Sequence, residues 1–138
     1  MDHDCPIVAL DTNVFVAAGF RRESAAGRVV DGVRSGRLRM VWNEATRRET
    51  RAILERIPPL SWPSFEKLFD PASEYTGPVD PERFGSVPDP EDRKFAALAH
   101  ATGAILISAD DDLLANPHRL DVLVLSPGEF LSGSWKGI

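Results

Sequence analysis

The sequence predicts an α/β fold with a central parallel sheet, and three observations carry that reading. Ile7-Val8-Ala9-Leu10 and Ala104-Ile105-Leu106-Ile107 are continuous apolar runs, the pattern of strands covered on both faces rather than on one. Segments of helical and extended character alternate between and after them, which builds a three-layer α/β/α sandwich around a parallel sheet of four or five strands. Each run also ends close to carboxylates, Asp11 after the first and Asp110 after the second. Ligands of open α/β sheets sit outside the carboxyl ends of the strands, so both acids fall where chemistry is expected.

The elements follow in order. A short turn of helix after Asp11 leads to a polar link, Arg21 to Glu23, and Ser24 caps the next helix. Its stripe is Ala26, Val29, Val30 and Val33, and Gly36 ends it. Leu38 to Trp42 reads as a second strand. Asn43 caps a helix running to about Arg56, where Pro58-Pro59 stop it. The apolar stripe of this helix is Ala45, Ala52, Ile53 and Ile57, and Glu49 falls within it. A carboxylate on a buried face is costly unless it is paired. A salt bridge to Arg48 or Arg51 and a ligand role fit Glu49 equally.

Ser61-Trp62-Pro63 opens a short amphipathic helix with Phe65, Leu68 and Phe69. These apolar residues suit a core or an interface alike. From Asp70 to Pro90 the chain is rich in proline and glycine and reads as a long ordered loop with room for one small edge strand. Asp89-Pro90-Glu91-Asp92 starts the next helix, with Asp89 as N-cap and Pro90 at the first helical position. That helix buries Phe95, Ala96, Ala99 and Thr102, and Asp92 points along its buried side. Acids in a first turn also complement the helix dipole, which suffices for Glu91. Gly103 ends the helix. Asp110-Asp111-Asp112 is either a solvated turn or the cap of a short helix from Leu113 to Asn116. Asp121 to Leu125 is the last strand, Ser126-Pro127 caps a final turn ending at Phe130-Leu131, and the tail to Ile138 is expected to fray.

Composition bounds the function. The chain has 138 residues, the length of one ordinary domain, and residues 1–138 are read as a single unit. One cysteine, Cys5, excludes an intrachain disulfide and fits a reducing compartment. The acidic start and the short apolar run behind it do not make a signal peptide, and no stretch approaches a membrane span, so a cytoplasmic protein is expected. The net charge of -5 argues against a nucleic-acid coat protein. Charge is nevertheless segregated: ten arginines and five acids lie between Arg21 and Arg56, while eight acids and three bases lie between Asp80 and Asp112. That division suits a polyanion on one side and cations on the other, although solvated helix faces explain it as simply.

Asp11, Glu49, Asp92 and Asp110 therefore point at one rim. Four such acids repel one another unless a cation sits among them, and a hard-oxygen donor set favours Mg²⁺ or Mn²⁺. Such an ion activates water for attack on phosphorus. Thr12 and Ser108 are placed to hydrogen-bond Asp11 or Asp110, Asn13 to orient a carboxylate or a water, and Asp112 to serve as an outer ligand. Local capping is the simpler role for each of these four. His3, His100 and His118 share no metal-like spacing, and there is neither a Gly-rich phosphate loop nor a nucleophile elbow.

Ile7 to Phe15, Glu49 to Leu54, Asp89 to Asp92 with Phe95 to Leu98, Ile107 to Leu114, and Val124 to Leu131 together resemble the PIN-domain ribonucleases, in the right order over nearly the whole chain. The closest likeness is to the VapC-like, toxin-type PIN branch. The acidic triplet Asp110-Asp111-Asp112 departs from the commoner pattern, whose middle residue is basic or neutral. The resemblance implies a PIN-like fold and an Mg²⁺- or Mn²⁺-dependent endoribonuclease. Asp11, Glu49, Asp92 and Asp110 would be its catalytic and metal-holding acids. It also implies a small antitoxin partner, a homodimer, and in-line attack of metal-activated water on RNA that leaves a 5′-phosphate. Arg21, Arg22, Arg47 and Arg48 are the expected RNA-backbone contacts. Receiver domains and aspartyl phosphatases fit less well, because Asp11 lacks a neighbouring acid, Asn13 stands two residues on, and Ser126-Pro127 follows the last strand where a receiver needs lysine. The alternative is a PIN scaffold that binds RNA or protein without cutting.

Overall fold

The computed structural model describes residues 5–110 and 121–137. Its elements are β1 (Ile7–Leu10), α1 (Thr12–Phe20), α2 (Ala25–Arg34), β2 (Arg39–Met40), α3 (Glu44–Glu55), α4 (Pro63–Glu66), α5 (Pro90–Thr102), β3 (Ile105–Ile107), β4 (Val124–Leu125) and α6 (Pro127–Ser132). The strands form one parallel sheet of four in the order β2-β1-β3-β4. The expected α/β/α sandwich is present. From β1 the chain leaves toward β2, and from β3 it leaves toward β4, so the order reverses between β1 and β3. The carboxyl ends of those two strands frame the crevice that such a reversal opens.

Side chains alternate across the sheet, and each set joins its own core. Val8, Leu10, Met40, Ile107 and Leu125 pack with α1, α2, α4 and α6 through Val14, Phe15, Val29, Phe65 and Phe130. Ala9, Leu106 and Val124 pack on the other face with Phe95, Ala96, Leu98 and Ala99 of α5. Trp62, Phe65 and Phe69 belong to the first core and are buried; Phe69 stacks on Phe15 with ring centroids 5.7 Å apart.

Local chemistry sets most boundaries as expected. The Ser24 hydroxyl accepts from Gly27 N at 3.1 Å, and Asn43 and Thr46 form a reciprocal capping box at the start of α3. Gly36 and Gly103 take positive φ beyond α2 and α5, where a side chain would be strained. Several expectations are corrected. The helix after Asp11 is nine residues long rather than one turn. β2 is only two residues, because Trp42 leaves the pairing with β1 and makes an isolated parallel bridge to Glu74 instead. β4 begins at Val124 rather than Asp121, which sits at φ 52°. The tail is held: Trp135 stacks on Phe130 at 5.3 Å and its indole donates to Phe130 O at 2.9 Å. Thr102 is half-buried and donates its hydroxyl back to Leu98 O at 2.8 Å.

The long loop is ordered by anchors within it. Two 3₁₀ turns, Pro71–Ser73 and Pro81–Phe84, carry it from beside β2 onto α5, and Phe84 and Val87 drop into the α5 core. Phe84 is 1% exposed and meets the His100 ring edge-on. Phe84→Ala is expected to lower stability by about 3–5 kcal/mol, the usual cost of emptying a filled aromatic site. Chemical denaturation measures this, and a loss below about 1 kcal/mol would mean that the loop is not part of the folded unit.

Candidate active site

Asp11 follows β1 directly, and its carboxylate serves two local purposes. Oδ1 accepts from Val14 N at 3.3 Å, which caps α1, and Oδ2 accepts from the Ser108 hydroxyl. The β1–β3 register makes that second bond possible: Leu10 lies beside Ile107, so Asp11 and Ser108 leave the sheet together. Ser108 is fully buried, and its oxygen also accepts from Asp110 N at 2.9 Å. One hydroxyl thus sets both the Asp11 carboxylate and the turn that carries Asp110. Thr12 does not touch either acid; its hydroxyl meets that of Thr50 on α3 at 3.2 Å, pinning α3 over the start of α1. Asn13 is exposed at the lip.

The four acids singled out from the sequence line one cleft of ≈ 430 Å³, together with Thr12, Asn13, Asp89, Glu91 and Arg56. Asp92 lies at the third position of α5, behind its Asp89 cap. Its carboxyl lies against that of Asp110, and a second acid so close disfavours the ionised form of Asp92. Oδ2 of Asp92 is buried and has no hydrogen-bond partner among the described residues. Burial, the contact with Asp110 and the negative charges of Asp110, Asp89 and Asp11 push the Asp92 carboxyl up to about 8. Burial raises Asp11 to about 6 against the opposing Ser108 and Val14 hydrogen bonds. For Asp11, which is 2% exposed, remaining ionised costs roughly 3 kcal/mol more than in water.

Glu49 sits differently from expectation. The buried seam of α3 is Thr46, Thr50 and Leu54, a spacing of four. Ala45 is exposed and Ala52, Ile53 and Ile57 only half-buried, so Glu49 borders the seam rather than interrupting it. Nor does it pair with Arg48 or Arg51. Those two reach Glu44 and Glu55 along the helix at 3.3 and 3.2 Å. The partner of Glu49 is Lys94 of α5, with Nζ 3.8 Å from its carboxylate. Burial and a hydrogen bond with Glu91 raise the Glu49 pKa, whereas the Lys94 contact lowers that of Glu91.

None of the four arginines expected on RNA lines the cleft. Arg21, Arg22 and Arg48 are exposed elsewhere, and Arg47 lies over the Trp62 ring at 5.4 Å. The arginine at the lip is Arg56, seven residues after Glu49 and on the same face of α3. Sequence reading passed over Arg56, Glu91, Lys94 and Thr50, although the spacing of Arg56 from Glu49 is a readable signal. Asp111, Asp112, His118 and the helix expected over 113–116 lie outside the described residues, as does His3.

Residues 7–112 match the family model described as PIN domain. The chain belongs to the PIN-domain family. PIN domains are commonly nucleases and use divalent metal ions, so the match supports a hydrolase-type activity. A search of curated proteins finds no match. Among solved structures, a chain from "Structure of FitAB bound to IR36 DNA fragment" is similar, with 16% identity and a TM-score of 0.54 over 87% of this chain and 94% of that one. At that identity the likeness establishes the fold.

The fit of a divalent ion can be judged on the acids themselves. Among the described residues no three acidic, histidine or cysteine side chains form a ready-made metal cage. The donors nevertheless suit a hard cation: all are carboxylate oxygens, one buried oxygen of Asp92 has no described partner, and the neighbouring acids disfavour its ionisation. A cation there would offset that repulsion.

A pH dependence follows for the metal-free protein. An acid whose folded pKa is raised favours the folded state while protonated; that contribution is full below about 3.8 and is lost as pH rises through the folded value. Stability is therefore expected to fall between about pH 4 and pH 8, as Asp11 and then Asp92 ionise. Thermal melts in chelator measure the slope. Asp92→Asn should flatten its upper half, and an unchanged slope would remove Asp92 as its source.

Proposed function

We propose that the chain is a metal-dependent endoribonuclease, the toxin component of a pair with a small antitoxin, and that Asp11, Asp92 and Asp110 hold Mg²⁺ or Mn²⁺ with Glu49 as the fourth acid of the cleft. One observation carries this reading: the four acids reach a single cleft at the carboxyl ends of β1 and β3 from four separate places in the chain. Membership of the PIN-domain family and the fold shared with a chain of FitAB support it. We read residues 1–138 as one PIN-like domain. The pairing of β4 with β3 and the place of Phe130 in the first core support that reading.

A divalent ion bound there supplies Lewis acidity toward water and toward the phosphodiester oxygens. The chain supplies placement. Ser108 keeps Asp11 and the Asp110 turn in register, the Thr12–Thr50 contact holds α3 at the cleft, and Asn13 stands at its lip to orient substrate or water. Arg56 is the cation at the lip that meets the RNA backbone. No helix among the described residues is long and apolar enough to cross a membrane, and the working place of such a nuclease is the cytoplasm. The protein acts as a homodimer, which sedimentation equilibrium tests directly.

Calorimetric titration with Mn²⁺ tests the reading without knowledge of the RNA target. The wild type should bind, and Asp92→Asn should bind at least about 100-fold more weakly while remaining folded. Cleavage of a mixed RNA pool should appear with Mn²⁺ and stop in chelator. Binding of RNA without metal-dependent cleavage would favour the non-catalytic scaffold.

Arg56→Ala should weaken binding of all RNAs alike and reduce the salt slope by about 0.7, as expected for one lost phosphate contact on a single strand. Arg47→Ala should leave that slope unchanged. Filter binding across salt concentrations measures both, and a sequence-selective loss for Arg56→Ala would contradict a backbone role.

A further inference from the structure

The cleft contains two carboxyl pairs, and the protein treats them unequally. Asp92 and Asp110 meet beside Asp11, and the charges bearing most on Asp92 are all negative. Glu49 and Glu91 come close across the gap between α3 and α5, and there Lys94 reaches both. Its Nζ is 2.6 Å from Glu91 and 3.8 Å from Glu49. The lysine side chain is 25% exposed and that of Glu49 20%, whereas that of Glu91 is 55% exposed, so Lys94 ties a sheltered carboxylate to a solvated one. An ammonium carries three donors and a compact charge, which suits bridging two carboxylates. An ammonium there already supplies positive charge to both carboxylates, and that charge repels a divalent ion approaching them.

We propose that Lys94 is the built-in cation of the Glu49 half of the cleft, so that the protein takes one exchangeable divalent ion, at Asp11, Asp92 and Asp110, and not two. Lys94 is then a positioning residue. It holds Glu49 toward the cleft and ties α3 to α5, while the charge at that end comes from the chain itself. The inference rests on the reading of Asp11, Asp92 and Asp110 as a cation site, and stoichiometry separates the two.

The experiment counts Mn²⁺ bound per chain, by calorimetry and by loss of the free-ion electron paramagnetic resonance signal, in chelator-stripped full-length protein. The wild type should bind one ion. Lys94→Gln should bind two, the second more weakly, and adding Glu49→Gln to that variant should return the count to one. Lys94→Met, which keeps the aliphatic stem, repeats the test if the glutamine variant fails to fold. Two ions on the wild type would overturn the inference while leaving the nuclease reading intact. A count of one in both lysine variants would overturn it as well. No binding by the wild type would remove the cation site itself, and the inference with it.

Discussion

The parallel pairing of β1 with β3 is the constraint on which the site depends. Leu10 opposite Ile107 brings two chain segments about a hundred residues apart to the same sheet edge, in step. One residue further on, Asp11 receives the Ser108 hydroxyl, and that oxygen in turn receives Asp110 N. A slip of one residue would turn every side chain of the strand to the opposite face, moving Val8 and Leu10 out of one core and Ala9 into it. The same two cores that hold the sheet together therefore enforce the register of the acids. The geometry of this edge is bound to packing well away from it.

Concentrating carboxylates at that edge has a cost that the fold offsets in three ways. Hydrogen bonding from Ser108 and Val14 N favours the Asp11 anion, but burial outweighs them and the pKa rises to about 6. At Asp92, burial and the neighbouring acids keep the carboxyl protonated up to about pH 8. At Glu49 and Glu91 a lysine supplies positive charge. These solutions differ in what can replace them. A proton is displaced by a stronger cation as soon as one arrives, whereas an ammonium covalently tied to α5 is not. The arrangement thus marks one end of the cleft as exchangeable and the other as fixed.

Much of this was legible in the sequence because the strongest signals are local. Continuous apolar runs gave β1 and β3, and Ser24, Asn43, Asp89 and Ser126 gave helix starts that the hydrogen bonds bear out. The convergence of Asp11, Glu49, Asp92 and Asp110 was readable because sheet topology alone sends the first and last of them to one edge. Failures arose where polar residues do the burying. The seam of α3 is Thr46, Thr50 and Leu54, so a search for apolar periodicity chose the wrong face and gave Glu49 the wrong neighbours. Trp42 leaves the sheet for a bridge to Glu74, a non-local choice that no window around β2 contains.

The residues that sequence reading passed over share a further cause. Glu91, Lys94 and Arg56 are charged residues in helical contexts where a local explanation was already sufficient: a dipole acid, a lysine three residues after a glutamate, an arginine at a helix end. Each local explanation holds in part; Lys94 does pair with Glu91 in the same helix. What changes its meaning is Glu49, which arrives from α3 on the other side of the cleft. An intrahelical pair on a solvated face contributes a few tenths of a kcal/mol and little else. With a second, sheltered carboxylate brought against it, the same lysine supplies positive charge to the Glu49 end of the cleft, where the proposed single cation would otherwise have competition.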